Sequence, residues 1–204
     1  ISKGDIIKYD YLVVTAGVVL DFAKIKGLEE LGEMYTAQEK SNIRQIFEGT
    51  GASSIYNMDG AVLTWENMQK SIAEAKSGKK LNAIFSHPNT AIKCGGAPKK
   101  IMYLMDARLN ESGKEARANV DMTFYPNGSK MFGVKAYEDA IKEQYKARNM
   151  KYKYAHNLTE VNLKDKIATF NHHWEEKGEY DPDIEEHSII KKSEKVEVAY
   201  DFLH

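Results

Sequence analysis

The chain has 204 residues, with 29 lysines and arginines against 30 aspartates and glutamates, and a formal net charge of −1. This balance argues against a broadly nucleic-acid-binding surface, which needs an excess or a stripe of basic residues to meet phosphates. Hydrophobic residues make up 42% of the chain, and 14 glycines and 4 prolines are few, so the composition is that of a folded protein of one domain or slightly more.

No stretch reaches the roughly 20 consecutive apolar residues that a membrane-spanning helix needs. The single cysteine, Cys94, excludes an intrachain disulfide and a cysteine-rich zinc site. No signal peptide is visible. The missing initiator methionine and the apolar run over 199–204 suggest a piece of a longer protein.

In chain order, the first predicted element is a buried strand over 6–14, which runs into a tight turn at Thr15-Ala16-Gly17. A short helix is predicted over 37–47. A longer helix is predicted to begin with Thr64 as its N-cap residue and to end at Gly78. Apolar residues recur along it at helical spacing: Trp65, Met68, Ile72 and Ala75.

The middle of the chain alternates between strand and helix patterns. A strand over 81–85 leads through a long polar loop to a helix that starts at Pro98. A third strand, over 120–124, is closed by the turn 125–128, and another helix covers 136–148.

The sequence of the last third of the chain indicates a β-meander. Short strands are expected over 151–154, 158–163 and 166–170, the last two joined as a hairpin. The polar stretch 171–194 is interpreted as an extended surface connection, and 196–202 as a final strand. The fold class that follows is α/β: a Rossmann-like parallel sheet with flanking helices plus a β-meander.

The loop after strand 81–85 lies where a dinucleotide-binding unit carries its G-x-G-x-x-G fingerprint. That fingerprint is absent, because Gly95 and Gly96 are adjacent and no further glycine follows before Gly113. The acidic residue that would hold a ribose after the next strand is also missing. We therefore expect no nicotinamide cofactor, NAD included, to bind in the usual way.

The same loop places a thiol, Cys94, close to a helix N-terminus and among Lys93, Lys99 and Lys100. Unpaired N–H groups and ammonium groups favour the thiolate, the nucleophilic form of cysteine. The alternative is an inert, small apolar cysteine under a Gly-Gly turn. His87 in this loop is a candidate to orient or deprotonate a substrate, against a turn-capping role. Lys100 is a candidate to stabilise the thiolate, against a solvent-facing role.

No metal site is predicted. Histidines that stand near acidic residues lie in the polar stretch without the i, i+4 spacing of a helical ligand pair: His172, His173 and His187.

The segment around Cys94 resembles the signature of the sulfide:quinone oxidoreductase family. It reads Pro88-Asn89-Thr90-Ala91-Ile92-Lys93-Cys94-Gly95-Gly96-Ala97-Pro98-Lys99-Lys100-Ile101-Met102-Tyr103-Leu104. Further stretches are similar to that family at 9–14, 20–28, 132–135 and 200–204, so the resemblance covers most of the chain.

The resemblance implies an FAD flavoprotein that oxidises sulfide to a cysteine-bound persulfide or polysulfide and passes electrons through FAD to a membrane quinone. Cys94 matches one of its redox cysteines, and the partner cysteine is expected after His204. The resemblance divides the chain into a crossover strand from the flavin domain over 1–20, a second Rossmann-like domain over 21–195, and a return strand over 196–204. The implied cofactor contacts are Thr15, Ala16, Gly17, Pro88 and Asn89.

The FAD fingerprint is expected before Ile1, so the fragment is predicted to fold without binding flavin. Peripheral membrane association and quinone contact are expected from sequence beyond His204. Two other readings stay open: the flavoprotein of a flavocytochrome c-type sulfide dehydrogenase, with a cytochrome as acceptor, and a non-catalytic α/β interaction domain.

Overall fold

The structure is a computed structural model, and it describes residue 4 and residues 6–35, 42–90, 92, 94–183 and 185–204. The α-helices among these residues are α1 (Ile43–Phe47), α2 (Met58–Lys76), α3 (Ala97–Glu111), α4 (Lys114–Ala118) and α5 (Lys135–Ala147). The strands are β1 (Leu20–Asp21), β2 (Glu33–Met34), β3 (Leu81–His87), β4 (Val120–Pro126), β5 (Lys151–Tyr152), β6 (His156–Asn162), β7 (Ile167–Asp181), β8 (Glu186–Ala199) and β9 (Phe202–Leu203). Short 3-10 helices cover Phe22–Lys24 and Glu29–Leu31.

A four-stranded parallel sheet forms the centre of the fold, in the order β5-β4-β3-β9. β3 and β4 pair in register from Leu81 opposite Val120 to His87 opposite Pro126. Most residues of both strands are buried, because parallel strands are covered on both faces. Neighbouring side chains of β3 alternate between faces, so Phe85 and Ile84 belong to two separate buried clusters.

Helices cover one face of this sheet and a second sheet covers the other. On the helical face, Met102 and Met105 of α3 and Tyr145 of α5 pack with Phe85 and Phe124. On the opposite face lies the antiparallel sheet β6-β7-β8, whose inner residues pack against Ile84 and Tyr125. These inner residues are Val161, Ala168 and Phe170. The predicted fold class, a parallel sheet with flanking helices and a β-meander, is confirmed.

The strands over 81–85 and 120–124 and the helices starting near Pro98 and over 136–148 are confirmed within a few residues. The predicted helix over 37–47 is present as α1 over its last five residues, while 37–41 lie outside the described residues. The division of the chain at 20 and 195 stays a prediction.

The predicted buried strand over 6–14 is wrong. This segment has no regular structure, and its apolar side chains are open to solvent, with Ile6 94% and Tyr11 93% exposed. An alternating sequence forms a strand only where a neighbour takes up its backbone hydrogen bonds. None of the strands that the structure describes lies beside 6–14.

The predicted start of α2 is also wrong, because Asn57 and not Thr64 is its N-cap residue. The Asn57 side chain accepts hydrogen bonds from the N–H groups of Asp59 at 2.9 Å and Gly60 at 3.4 Å. Thr64 lies inside the helix, and its hydroxyl donates to the Gly60 carbonyl at 2.8 Å. An asparagine satisfies unpaired N–H groups as well as a threonine does, so the helix starts about two turns earlier.

The interpretation of 171–194 as a surface connection is wrong, since these residues form most of a long β7–β8 hairpin. Ion pairs across the hairpin join Glu176 to Lys192 at 2.5 Å and His172 to Glu194 at 3.2 Å. The predicted strand over 196–202 is divided. β8 ends at Ala199, and the chain then enters the parallel sheet, where the Asp201 N–H donates to the Asn82 carbonyl at 2.9 Å.

Candidate functional site

Cys94 lies at the carboxyl edge of the parallel sheet, in the loop between β3 and α3. In open α/β sheets this edge is where ligands bind. The neighbouring connection, which follows β4, reaches the same edge, and the Asn127 N–H donates to the His87 carbonyl at 3.2 Å. Pro98 at the start of α3 has its φ angle preset for a helix and lacks an N–H that would go unpaired.

The sulfur of Cys94 is exposed and faces the N-terminus of α3. The cap residue Gly96 offers no side-chain hydrogen bond to the helix. Instead, hydrogen bonds from the Gly96 and Ala97 N–H groups lower the pKa of the Cys94 thiol, and the charges of Lys100 and Lys99 lower it further. The partial positive charge of a helix N-terminus favours an anion there, so this thiol is set to ionise more readily than a free cysteine.

Gly96 lies at the start of α3, close to the sulfur. Its φ is −85°, so it is not in the left-handed conformation that often requires a glycine. A Cβ on Gly96 would lie 3.6 Å from Cys94 Sγ, which is ordinary contact. The glycine therefore leaves one side of the sulfur open to an approaching molecule.

Lys99, one of the three lysines near Cys94 in the sequence, is buried, with 3% of its surface exposed. Its ammonium donates to the Gly95 carbonyl at 2.8 Å and lies 4.9 Å from the ring centre of Phe124 and 5.9 Å from that of Phe132. Burial lowers the pKa of Lys99 to about 8, an effect that the nearby Cys94 opposes.

One sequence clue bears on the burial of Lys99. Lys99 precedes Met102 by three residues, so the two lie on the same buried face of α3. This spacing is the sequence signal that distinguishes Lys99 from the exposed Lys100. Lys93 lies outside the described residues.

His87 ends β3 and is half-buried, with its ring 6.4 Å from that of Phe124. Burial lowers the pKa of His87, and the charge of Lys99 lowers it further, so the ring is neutral at pH 7. Among the described residues, no hydrogen bond joins His87 to Cys94. The structure therefore keeps His87 in the Cys94 loop but does not place the two side chains in contact.

Tyr56, which the sequence analysis missed, reaches this region from the loop before α2. Its hydroxyl is buried and has no hydrogen-bond partner among the described residues. Burial raises the pKa of Tyr56, and the negative charge of Cys94 raises it further. No local pattern signals this role, because Tyr56 and Cys94 meet only through the tertiary fold.

The residues proposed for cofactor contact fall into two groups. Thr15, Ala16 and Gly17 are exposed and lie in the irregular segment that precedes β1. Pro88 borders two adjoining cavities of about 200 and 390 Å³ beside the Cys94 loop, and Asn89 borders the second of them. The first cavity is mostly apolar, and its lining includes Val18, Leu20, Phe22, Tyr56, Leu203 and His204.

The described residues hold no cluster of three or more histidine, cysteine or acidic side chains that would bind a metal ion. His172 instead stacks on His156, with ring centres 4.4 Å apart, and pairs with Glu194. Within the same described ranges, no helix is both long and apolar enough to cross a lipid bilayer.

Comparison with known proteins finds curated relatives that are sulfide:quinone oxidoreductases. No family model matches the sequence. The mitochondrial sulfide:quinone oxidoreductase of Mus musculus is 36% identical over 169 residues, which cover 83% of this chain and 32% of that protein. The corresponding protein of Dictyostelium discoideum is 35% identical over 210 residues, which cover 100% of this chain and 41% of that protein.

A solved structure supports the fold. The sulfide:quinone oxidoreductase of Aquifex aeolicus matches with a TM-score of 0.57 at 18% identity, over 97% of this chain and 36% of that one. The chain thus spans 32% to 41% of the length of the two curated relatives. The resemblance seen around Cys94 is confirmed at the level of the family: the chain is homologous to sulfide:quinone oxidoreductases over most of its length.

Proposed function

We propose that this chain is the cysteine-bearing segment of a sulfide-oxidising flavoenzyme that passes electrons through FAD to a quinone. The observation that carries the proposal is the environment of Cys94, an exposed cysteine at the start of α3 whose pKa is lowered by the Gly96 and Ala97 N–H groups and by the charges of Lys100 and Lys99. Homology to proteins named for sulfide and quinone supports the same substrates for the whole protein.

The proposed chemistry of Cys94 is the transient carriage of one extra sulfur atom. A Cys94 thiolate and a hydrosulfide ion form one sulfur–sulfur bond, giving a cysteine persulfide anion, one proton and two electrons. In the complete enzyme, bound FAD would supply the two-electron oxidation and would pass the electrons on to the quinone. The same N–H groups that lower the thiol pKa also favour the persulfide anion, because they act on negative charge at this position.

His87 and Lys100 have separate proposed roles. A neutral His87 has the protonation state needed to accept the proton that leaves hydrosulfide. Lys100 contributes positive charge on the exposed side of Cys94, where an anionic substrate approaches.

FAD does not fit the described residues taken alone. A dinucleotide needs a close backbone turn and a helix N-terminus for its pyrophosphate. Thr15, Ala16 and Gly17 lie in an irregular, exposed segment, and a Cβ on Gly17 would meet open space. Pro88 borders both cavities and Asn89 borders the second one, and neither residue belongs to the helix N-terminus that a pyrophosphate needs. We therefore propose that the isolated chain binds no flavin; a stoichiometric flavin spectrum from the purified chain would refute this.

The proposed function is tested by Cys94→Ser in a full-length protein that contains this segment. Ser112→Ala, at the opposite end of α3, is the matched control. We expect Cys94→Ser to abolish sulfide-dependent quinone reduction while the FAD absorbance per protein stays unchanged, and the control to keep both. Retained turnover in Cys94→Ser would overturn the assignment.

A further inference from the structure

The buried lysine behind Cys94 has an environment that does little for stability. Lys99 has one hydrogen-bond acceptor among the described residues, the Gly95 carbonyl at 2.8 Å. Its other neighbours include the rings of Phe124 and Phe132. Taking an ammonium group out of water is unfavourable unless it is well paired, so an unbranched apolar side chain would suit this pocket as well or better.

The hydrogen bond from Lys99 acts on the peptide group next to Cys94. The Gly95 carbonyl and the Gly96 N–H belong to the same planar, trans peptide, and therefore point in opposite directions. When Lys99 holds the carbonyl towards the interior of the fold, the Gly96 N–H is directed away from the interior. That N–H is the first of the two that lower the pKa of Cys94.

We propose that Lys99 is a positioning residue, which fixes the orientation of the Gly95–Gly96 peptide so that the Gly96 N–H stays aimed at the Cys94 sulfur. The proposal deepens the proposed function, on which it rests. Lys99 differs from Lys100 in this respect, because Lys100 is exposed and acts on the sulfur through its charge alone.

Other titratable groups near Lys99 also interact with Cys94 or respond to the charge of Lys99. His87 lies on the neighbouring strand and feels the charge of Lys99. Cys94 and Lys100 flank it along the chain, and Tyr56 approaches Cys94 from the loop before α2. Of these groups, Cys94 alone is a thiol, so alkylation by iodoacetamide reports it without interference from another cysteine.

The test is the rate of alkylation of Cys94 against pH in the whole chain, compared between wild type, Lys99→Met and the exposed-lysine control Lys114→Met. We expect Lys99→Met to raise the midpoint of the wild-type profile by about one pH unit, a roughly tenfold loss of thiolate at pH values below the midpoint. The control should reproduce the wild-type profile. Lys99→Met should also unfold in urea at no lower a concentration than wild type.

The outcomes separate the two proposals. A wild-type midpoint below that of a free cysteine, unchanged in Lys99→Met, overturns the role of Lys99 and leaves the function proposed for Cys94 intact. A wild-type midpoint equal to that of a free cysteine overturns both. If Lys99→Met does not fold, Lys99→Leu, an apolar side chain without a donor, carries the same comparison. Lys99→Gln, a neutral side chain that retains a donor, should have a lower midpoint than the donor-free variant, and an equal midpoint would overturn the positioning role.

Discussion

Asp106 holds together the helical face of the parallel sheet, and its replacement gives a strong stability prediction. The carboxylate is 0% exposed and accepts hydrogen bonds from Arg117 Nε at 2.5 Å and Arg148 Nη1 at 2.9 Å. Arg117 also donates to the carbonyls of Val120, Arg148 and Asn149. One buried ion cluster thus joins α3, α4, the start of β4 and the end of α5.

We expect Asp106→Ala to lower the free energy of unfolding by about 3–5 kcal/mol. Arg117 is 9% exposed, and removing its carboxylate partner leaves a buried guanidinium without a counter-charge, which is the situation that costs this much. For a chain of this size each kcal/mol moves the melting temperature by about 2–4 °C, so the loss is on the order of 6–20 °C.

Urea unfolding followed by circular dichroism measures the loss, with Asp139→Ala as the matched control. Asp139 pairs with Lys135 at 2.6 Å, but both side chains are exposed. An exposed pair contributes about 0–1 kcal/mol. If Asp106→Ala costs no more than Asp139→Ala, the reasoning from burial is refuted.

Two further predictions concern packing and pH. Gly27→Ala should destabilise the chain by about 1–3 kcal/mol in urea unfolding, because Gly27 has a φ of +89° and an added Cβ would lie 2.1 Å from the Val161 carbonyl oxygen. Gly128→Ala, with open space around it, is the control, and equal losses would contradict the argument. Burial lowers the pKa of His204 to about 4. As the pH drops from about 6.5 to 4, the unfolded chain therefore protonates this histidine before the folded chain does, and the free energy of unfolding falls. Between pH 7.5 and pH 4.5, His204→Phe should lose less of its free energy of unfolding in urea than wild type loses. Equal losses in the two proteins would contradict the lowered pKa of His204.

The central strands and the helix of the site were predictable because their signals are local. β3 and β4 are runs of strand length in which apolar residues predominate, and Pro98 marks the start of α3. A lone thiol after such a strand was sufficient to locate the candidate site. Its exposure and the N–H groups that it receives agree with the chemistry expected from the sequence.

The wrong or missed predictions share a physical cause. In each case the structure of the segment depends on partners that are distant in sequence. The β7–β8 hairpin has charged residues where an apolar alternation would reveal a strand, and pairs such as Glu176 with Lys192 become complementary only once the register is set. The segment 6–14 has a strand pattern without a described neighbour to pair with. Tyr56 meets the Cys94 region only after α2 packs on the sheet.

The central claim is that folding itself activates Cys94, and one measurement tests it directly. The pH profile of Cys94 alkylation should be recorded for the same chain in buffer and in a urea concentration that unfolds it. The account predicts a midpoint clearly below pH 8.5 in the folded chain and a return to about 8.5 on unfolding, because the N–H groups of Gly96 and Ala97 then no longer converge on the sulfur. The same midpoint in both states would contradict the account.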